Sequence, residues 1–157
     1  MMCKQSPVII VDADACPVKQ EIITVAASFA AAVCMVASFD HRLAHHPGVE
    51  IVQVDRSNQS ADLYIVNRTR KGDIVVTQDF GLACIALAKG AIVISPRGEQ
   101  YNNDNIDYLM ERRHVQAKIR RGGGRTKGPK PLLPEDRERF QQKLTKVLQN
   151  LQENSEI

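Results

Sequence analysis

The sequence predicts an α/β protein of three layers, a mainly parallel central sheet of about five strands flanked by helices. Three observations carry this. Short β-branched runs such as VIIV, VEIVQV and AIVI alternate with segments of helical periodicity. The first run, Val8 to Val11, is apolar at every position, as in a strand covered on both faces of a parallel sheet. Helix-starting Pro17 and helix-ending Gly72 and Gly90 fall between the segments. The chain has 157 residues, 43% apolar and 25% charged, enough for one domain with a core and no staples.

The elements follow in order. Pro17 suits the first position of a helix reaching about Ala30, with Ile22, Ile23, Val25, Ala26 and Phe29 apolar. AVCMVAS reads as the second strand and VEIVQVD as the third, joined by the loop HRLAHHPG. His41, His45 and His46 are read as loop residues. Ser60 can cap a helix through about Arg70 whose apolar face is Leu63, Ile65 and Val66, and Gly72 ends it. DIVVT is the fourth strand, FGLACIALAK a helix closed by Gly90, and AIVIS the fifth strand. Asn103 or Asp104 can start a further helix carrying Ile106, Leu109, Met110 and Val115. GGGRTKGPKP is too rich in Gly and Pro for regular structure. In LLPEDRERF, Pro134 and the acids Glu135 and Asp136 mark a strong helix start. Phe140, Leu144, Val147, Leu148 and Leu151 then recur at helical spacing, a stripe expected to pack on its own domain. The expected organisation is one domain over 1–151, with a basic segment and loop at 112–131, a final helix at 134–151 and a polar tail at 152–157.

Composition narrows function. Aromatic residues are 4% with no Trp, which argues against base-stacking platforms. No apolar stretch approaches the roughly 20 residues of a membrane span, and no signal-peptide core is present, so the expected location is cytoplasmic. Cys3, Cys16, Cys34 and Cys84 form no C-x-x-C pair, and no His completes a zinc site. Cys34 and Cys84 read as core thiols. Cys16 precedes a helix, but nearby carboxylates oppose a thiolate, and Ile22 stands where a Cys-x5-Arg phosphatase needs Arg. Net charge is only +3, yet Arg112, Arg113, Lys118, Arg120, Arg121, Arg125, Lys127 and Lys130 fall in one stretch without an acid. The remainder holds 13 basic against 18 acidic side chains. A mildly acidic body carrying one basic segment points to a polyanionic partner.

The chemistry lies in the acids. Asp12 and Asp14, in DADACPVK, sit at the carboxyl end of the first strand, and Asp79 in VTQD just beyond the fourth. Asp62 falls in the first turn of the helix after the third strand. One such Asp is by itself an ordinary turn or cap residue. Three segments delivering acids to the carboxyl edge of a parallel sheet, where such folds place their crevice, suggest a shared site. Clustered carboxylates need a cation between them, and oxygen-only ligands favour Mg²⁺ or Mn²⁺. Such ions polarise phosphoryl groups, so phosphodiester hydrolysis is the natural chemistry. Lys19, in the first turn beside the acids, and Arg97, after the fifth strand, are placed to touch phosphate.

DADACPVK, SADLYI, VTQDFGLA and GGGRTKGPKP, in this order from about Val8 to Pro131, resemble the YaiI/YqxD family of small bacterial proteins. That family looks related to the PIN-like nucleases, whose acids hold Mg²⁺ or Mn²⁺ for RNA cleavage. The resemblance implies a PIN-like fold in which Asp12, Asp62 and Asp79 take the first, second and third acidic positions. Asp14 would be an additional acid, and Thr77 matches the small hydroxyl residue common two positions before the third. A fourth PIN acid has no clear counterpart here. The expected activity is that of a divalent-metal-dependent ribonuclease with RNA as partner, no membrane, and a homodimer open. Arg120, Arg121, Arg125, Lys127 and Lys130 would clamp the nucleic-acid backbone. Two other readings compete. VIIVDADAC also satisfies the strand plus D-x-D pattern of haloacid-dehalogenase-like phosphatases, though Pro17 starts a helix where that fold inserts a flap and no late Gly-Asp-x-x-x-Asp follows. A non-catalytic nucleic-acid-binding module would instead bind RNA indifferently to divalent ions and to Asp12.

Overall fold

The computed structural model describes residues 7–38, 45–55, 58–107, 111, 118–119, 121–123 and 131–155. Six strands form one sheet in the order β3-β2-β1-β4-β5-β6. They are β1 (Val8–Asp12), β2 (Ala32–Ser38), β3 (Val49–Val54), β4 (Ile74–Val76), β5 (Ile92–Ile94) and β6 (Gln100–Tyr101). The first five are parallel and β6 runs antiparallel to β5. Helices α1 (Lys19–Ser28) and α4 (Pro134–Ser155) cover one face; α2 (Asn58–Arg68) and α3 (Phe80–Ala88) cover the other. The three-layer, mainly parallel architecture is therefore present, with a sixth short strand added.

The period-two alternation of each strand sorts the core into two clusters. Ile9, Val11, Val33, Met35, Ile74, Val76 and Ile94 meet α1 and α4. Ile10, Cys34, Val36, Val75 and Val93 meet α2 and α3. The stripe on α4 is core as expected, with Phe140 and Leu144 fully buried. Its first turn is fixed by Asp136, whose Oδ2 accepts the Leu133 N–H, the backward reach of a capping box. Gly98, at φ +88°, lets the β5–β6 turn approach this helix: a Cβ there would sit 2.9 Å from the Arg139 carbonyl carbon and the Phe140 nitrogen. None of the described helices is long and apolar enough to cross a membrane.

Several boundaries differ from expectation. Pro17 lies in a turn, and α1 begins at Lys19 after a 3-10 turn over Ala13–Ala15. Helix α2 opens at Asn58, so Ser60 is inside it rather than its cap, and Asp62 stands past the first turn. The sequence offers hydroxyls at both 57 and 60, and pattern alone does not choose between them. Of the expected apolar face, Ile65 and Val66 pack inward together with Ala61 and Tyr64, but Leu63 is 62% exposed. Asp73 is not in β4 but buried beneath it, its oxygens accepting the Val8 and Arg70 N–H groups (3.1 and 2.9 Å). His41, Leu109, Met110 and Val115 lie outside the described residues; His45 is exposed and His46 half-buried.

Candidate acidic site at the sheet switch point

Strand order reverses between β1 and β4, which makes their carboxyl ends the topological switch point where open α/β sheets form a crevice. Register pairs Val11 with Val76, so the next residues along, Asp12 and Thr77, are neighbours. The buried Thr77 hydroxyl donates to Asp12 Oδ2 (3.3 Å) and accepts the Asp79 N–H (3.0 Å). One hydroxyl thus ties the acid of β1 to the acid after β4. Thr77, the small hydroxyl residue before the third acid, is placed as a link between the acids.

Each other acid has its own tether. Asp79 is the N-cap of α3, its Oδ1 accepting the Leu82 N–H at 3.1 Å. Gly81 leaves that carboxylate room, since a Cβ there would lie 3.2 Å from it. Both oxygens of Asp14 accept the Ser38 N–H at the end of β2, each at 3.0 Å. Asp62 is half-buried on α2.

The four carboxylates feel one another. Asp12 is pushed up to about 6, first by burial, then by Asp62, with Asp14 and Asp79 adding to it and the Thr77 hydrogen bond opposing. Asp62 is raised by burial and then by Asp79. No basic side chain among the described residues is one of the groups that set the Asp12 value. Among the described residues, however, no three His, Cys, Asp or Glu side chains converge closely enough to hold an ion as they stand. Asp12, Asp14 and Asp79 each spend oxygen lone pairs on protein donors. A carboxylate has about four lone-pair sites, so those bonds leave capacity for a hard cation, and the donor chemistry fits one.

The basic groups are committed otherwise than expected. Lys19 Nζ donates to the Cys16 carbonyl (3.0 Å), closing the turn that follows the acids. Arg97 pairs with Asp136 Oδ2 at 3.1 Å, while Arg139 holds Oδ1 at 3.2 Å. Arg137, unremarked in the sequence, donates to the Pro17 carbonyl (2.7 Å) and pairs with Glu21 (3.3 Å), bracing from α4 the turn that follows the acids. Only the acidic first turn of α4 hinted at such partners. Burial pushes the Cys16 thiol up to about 11, so it stays protonated and is no nucleophile. Arg121 is exposed; Arg120, Arg125, Lys127 and Lys130 lie outside the described residues.

Fold and site together define an α/β protein with electrostatically coupled acids at its sheet switch point. The chain belongs to the YaiI/YqxD family: the family model described as "Uncharacterized BCR, YaiI/YqxD family" matches residues 10–150. Similar curated proteins include a UPF0178 protein of Halalkalibacterium halodurans, 47% identical over 90% of each chain. Another, from Bacillus pumilus, is 48% identical over 94% of this chain and 89% of the relative. A UPF0178 protein of Listeria monocytogenes is 47% identical, covering 92% of this chain and 97% of its own. Among solved structures, the crystal structure of Rae1 (YacP) from Bacillus subtilis (W164L mutant) matches 92% of this chain and 99% of that one. Its TM-score is 0.43 at 18% identity, a likeness too loose to build on.

Proposed function

We propose that this protein is a PIN-like, divalent-metal-dependent nuclease acting on RNA, with Asp12, Asp14, Asp62 and Asp79 as the residues that would hold Mg²⁺ or Mn²⁺. The observation that carries the reading is the Asp12 carboxyl, pushed up to about 6 by burial and three neighbouring acids, with no basic group opposing among the described residues. A fold tolerates such a cluster when a cation completes it. Bound there, the ion would polarise the scissile phosphate and activate water. The chain's own residues do the positioning. Thr77 fixes the spacing of Asp12 and Asp79, Ser38 orients Asp14, and Arg137 holds the Pro17 turn. Support for RNA comes from the basic stretch at 112–130 and from the resemblance of the acid-bearing motifs to PIN-like nucleases. Arg120, Arg121, Arg125, Lys127 and Lys130 supply the attraction that a carboxylate cluster cannot. Lys19 and Arg97 would serve as further phosphate contacts by exchanging their internal partners, the Cys16 carbonyl and Asp136, for substrate.

The test is a thermal-shift titration with Mg²⁺ and Mn²⁺ on wild type and Asp79→Asn, beside RNA cleavage by wild type and Asp12→Asn. An ion at 100 times its Kd stabilises by about 2.7 kcal/mol, so wild type shifts by several degrees and Asp79→Asn by much less. Asp12→Asn abolishes cleavage and keeps its fold. Equal ion shifts in both proteins, or full cleavage by Asp12→Asn, sink the proposal.

A further inference from the structure

The two edges of the sheet are unequal. β6 ends one side with only two residues, whereas β3 ends the other with six, and among the described residues nothing pairs with its free edge. The Val33 N–H donates to the Gly48 carbonyl (3.1 Å), which sets the phase of the β2–β3 ladder. Glu50, Val52 and Val54 therefore turn their N–H and C=O toward β2, and Val49, Ile51 and Gln53 turn theirs outward. Exposed edges are normally blunted by Lys, Pro, bulges or inward charges. VEIVQV has neither Lys nor Pro, and its single charge, Glu50, is matched by Arg68 at 3.7 Å. Two grooves flank the strand on opposite faces. One of about 410 Å³ is bordered by Gln53, Val54, Tyr64 and the exposed Leu63. One of about 400 Å³ is bordered by Ala27, Ala30, Ala31 and Val49.

We propose that β3 pairs antiparallel with β3 of a second copy, joining two sheets into one twelve-stranded sheet about a two-fold axis normal to it. Such an axis keeps each face on its own side, so paired positions must share a face. Charge then selects the register. Centring on Ile51 would bring the two Glu50 side chains within about 7 Å along the strands, two residue steps. Centring on Val52 holds them about 14 Å apart and sets each Glu50 opposite the other copy's Val54. In that register the outward N–H and C=O groups of Ile51 bond those of Gln53 in the second copy, and the converse. The second copy also covers Leu63 and the alanine-lined groove. Because the strands are antiparallel, the two acidic crevices open at opposite ends of the joined sheet, and each copy keeps its own site whether or not that site is a nuclease.

Size-exclusion chromatography with light scattering, at high micromolar concentration, tests this. Wild type is expected at twice the 17.5 kDa chain mass. Gln53→Pro removes only an outward N–H, so it is expected at one chain mass with unchanged circular dichroism. Val52→Cys places two thiols at a non-hydrogen-bonded pair, Cα atoms about 4.5 Å apart and within disulfide reach. It is expected to form an oxidised dimer on a non-reducing gel that wild type does not. A monomeric wild type overturns the proposal. So does a folded Gln53→Pro that remains dimeric, or a dimeric Val52→Cys that never crosslinks. Should Gln53→Pro fail to fold, the Val52→Cys crosslink decides alone.

Discussion

Replacing Asp12 by Asn should stabilise the metal-free protein, and only above a definite pH. Asp12 carries a carboxyl whose pKa is raised from 3.8 to about 6 in the fold. Between those values the folded state holds a proton that the unfolded chain has lost, so stability falls as pH rises through the window. Below about 4 both states are protonated and the group is neutral in its effect. Above about 6.5 the full penalty applies. The shift of about two units corresponds to no more than about 3 kcal/mol, reduced by residual solvent contact. Asn removes the charge, keeps nearly the same volume, and offers Oδ1 to the Thr77 hydroxyl. In EDTA the variant's Tm should exceed wild type by several degrees at pH 8, at about 2–4 °C per kcal/mol for a chain of this size, and match it at pH 4. Differential scanning calorimetry across pH 4–8 measures this directly. A Tm difference independent of pH, or a less stable variant at pH 8, would refute the claim that uncompensated charge at Asp12 is what the fold carries.

Other perturbations probe other links. Gly98→Ala puts a Cβ 2.9 Å from the α4 backbone at φ +88°, so urea denaturation should show a loss of about 2 kcal/mol or more. Asp136 is held below its usual range, first by the Leu133 N–H and then by Arg97 and Arg139. Its contribution is therefore present above pH 4 and lost as pH falls through its lowered pKa, and Asp136→Asn should lose stability at pH 7 but converge with wild type in strong acid. Joint replacement of Arg120, Arg121 and Arg125 by Ala should weaken RNA binding and flatten its log–log salt dependence by about two units, if about three single-strand phosphate contacts go. An unchanged slope in filter binding would reduce the segment to a solvated loop.

Much of the fold was legible because burial imposes pattern. β1 and β2 fall where the β-branched runs lie, since a strand covered on both faces admits few polar residues. The α4 stripe was equally plain, because Phe140, Leu144, Val147 and Leu148 must share one side of a 3.6-residue repeat to be buried. Strand direction places Asp12 at the carboxyl end of β1 and Asp79 just beyond that of β4, whereas Asp62 comes from within α2. Less legible was anything decided by partners distant in the chain. Leu63 belongs to a helical pattern but looks outward, because α2 presents Ala61, Tyr64 and Ile65 to the sheet. Two-residue β6 is too short to carry a period.

The sequence by itself determined where most strands and helices lie and which stripes are core, because alternation and helical spacing are local consequences of burying one face. The tertiary structure alone decided strand order, and with it that β1 and β4 are neighbours at the switch point. It also decided that Thr77 spans Asp12 and Asp79, and that Asp14 reaches Ser38, 24 residues away. Arg97 and Arg137 were assigned to Asp136 and to the Pro17 turn in the same way. Hydrogen bonds and ion pairs of this kind leave no periodic trace, since one donor and one acceptor suffice wherever the packed layers bring them within about 3 Å.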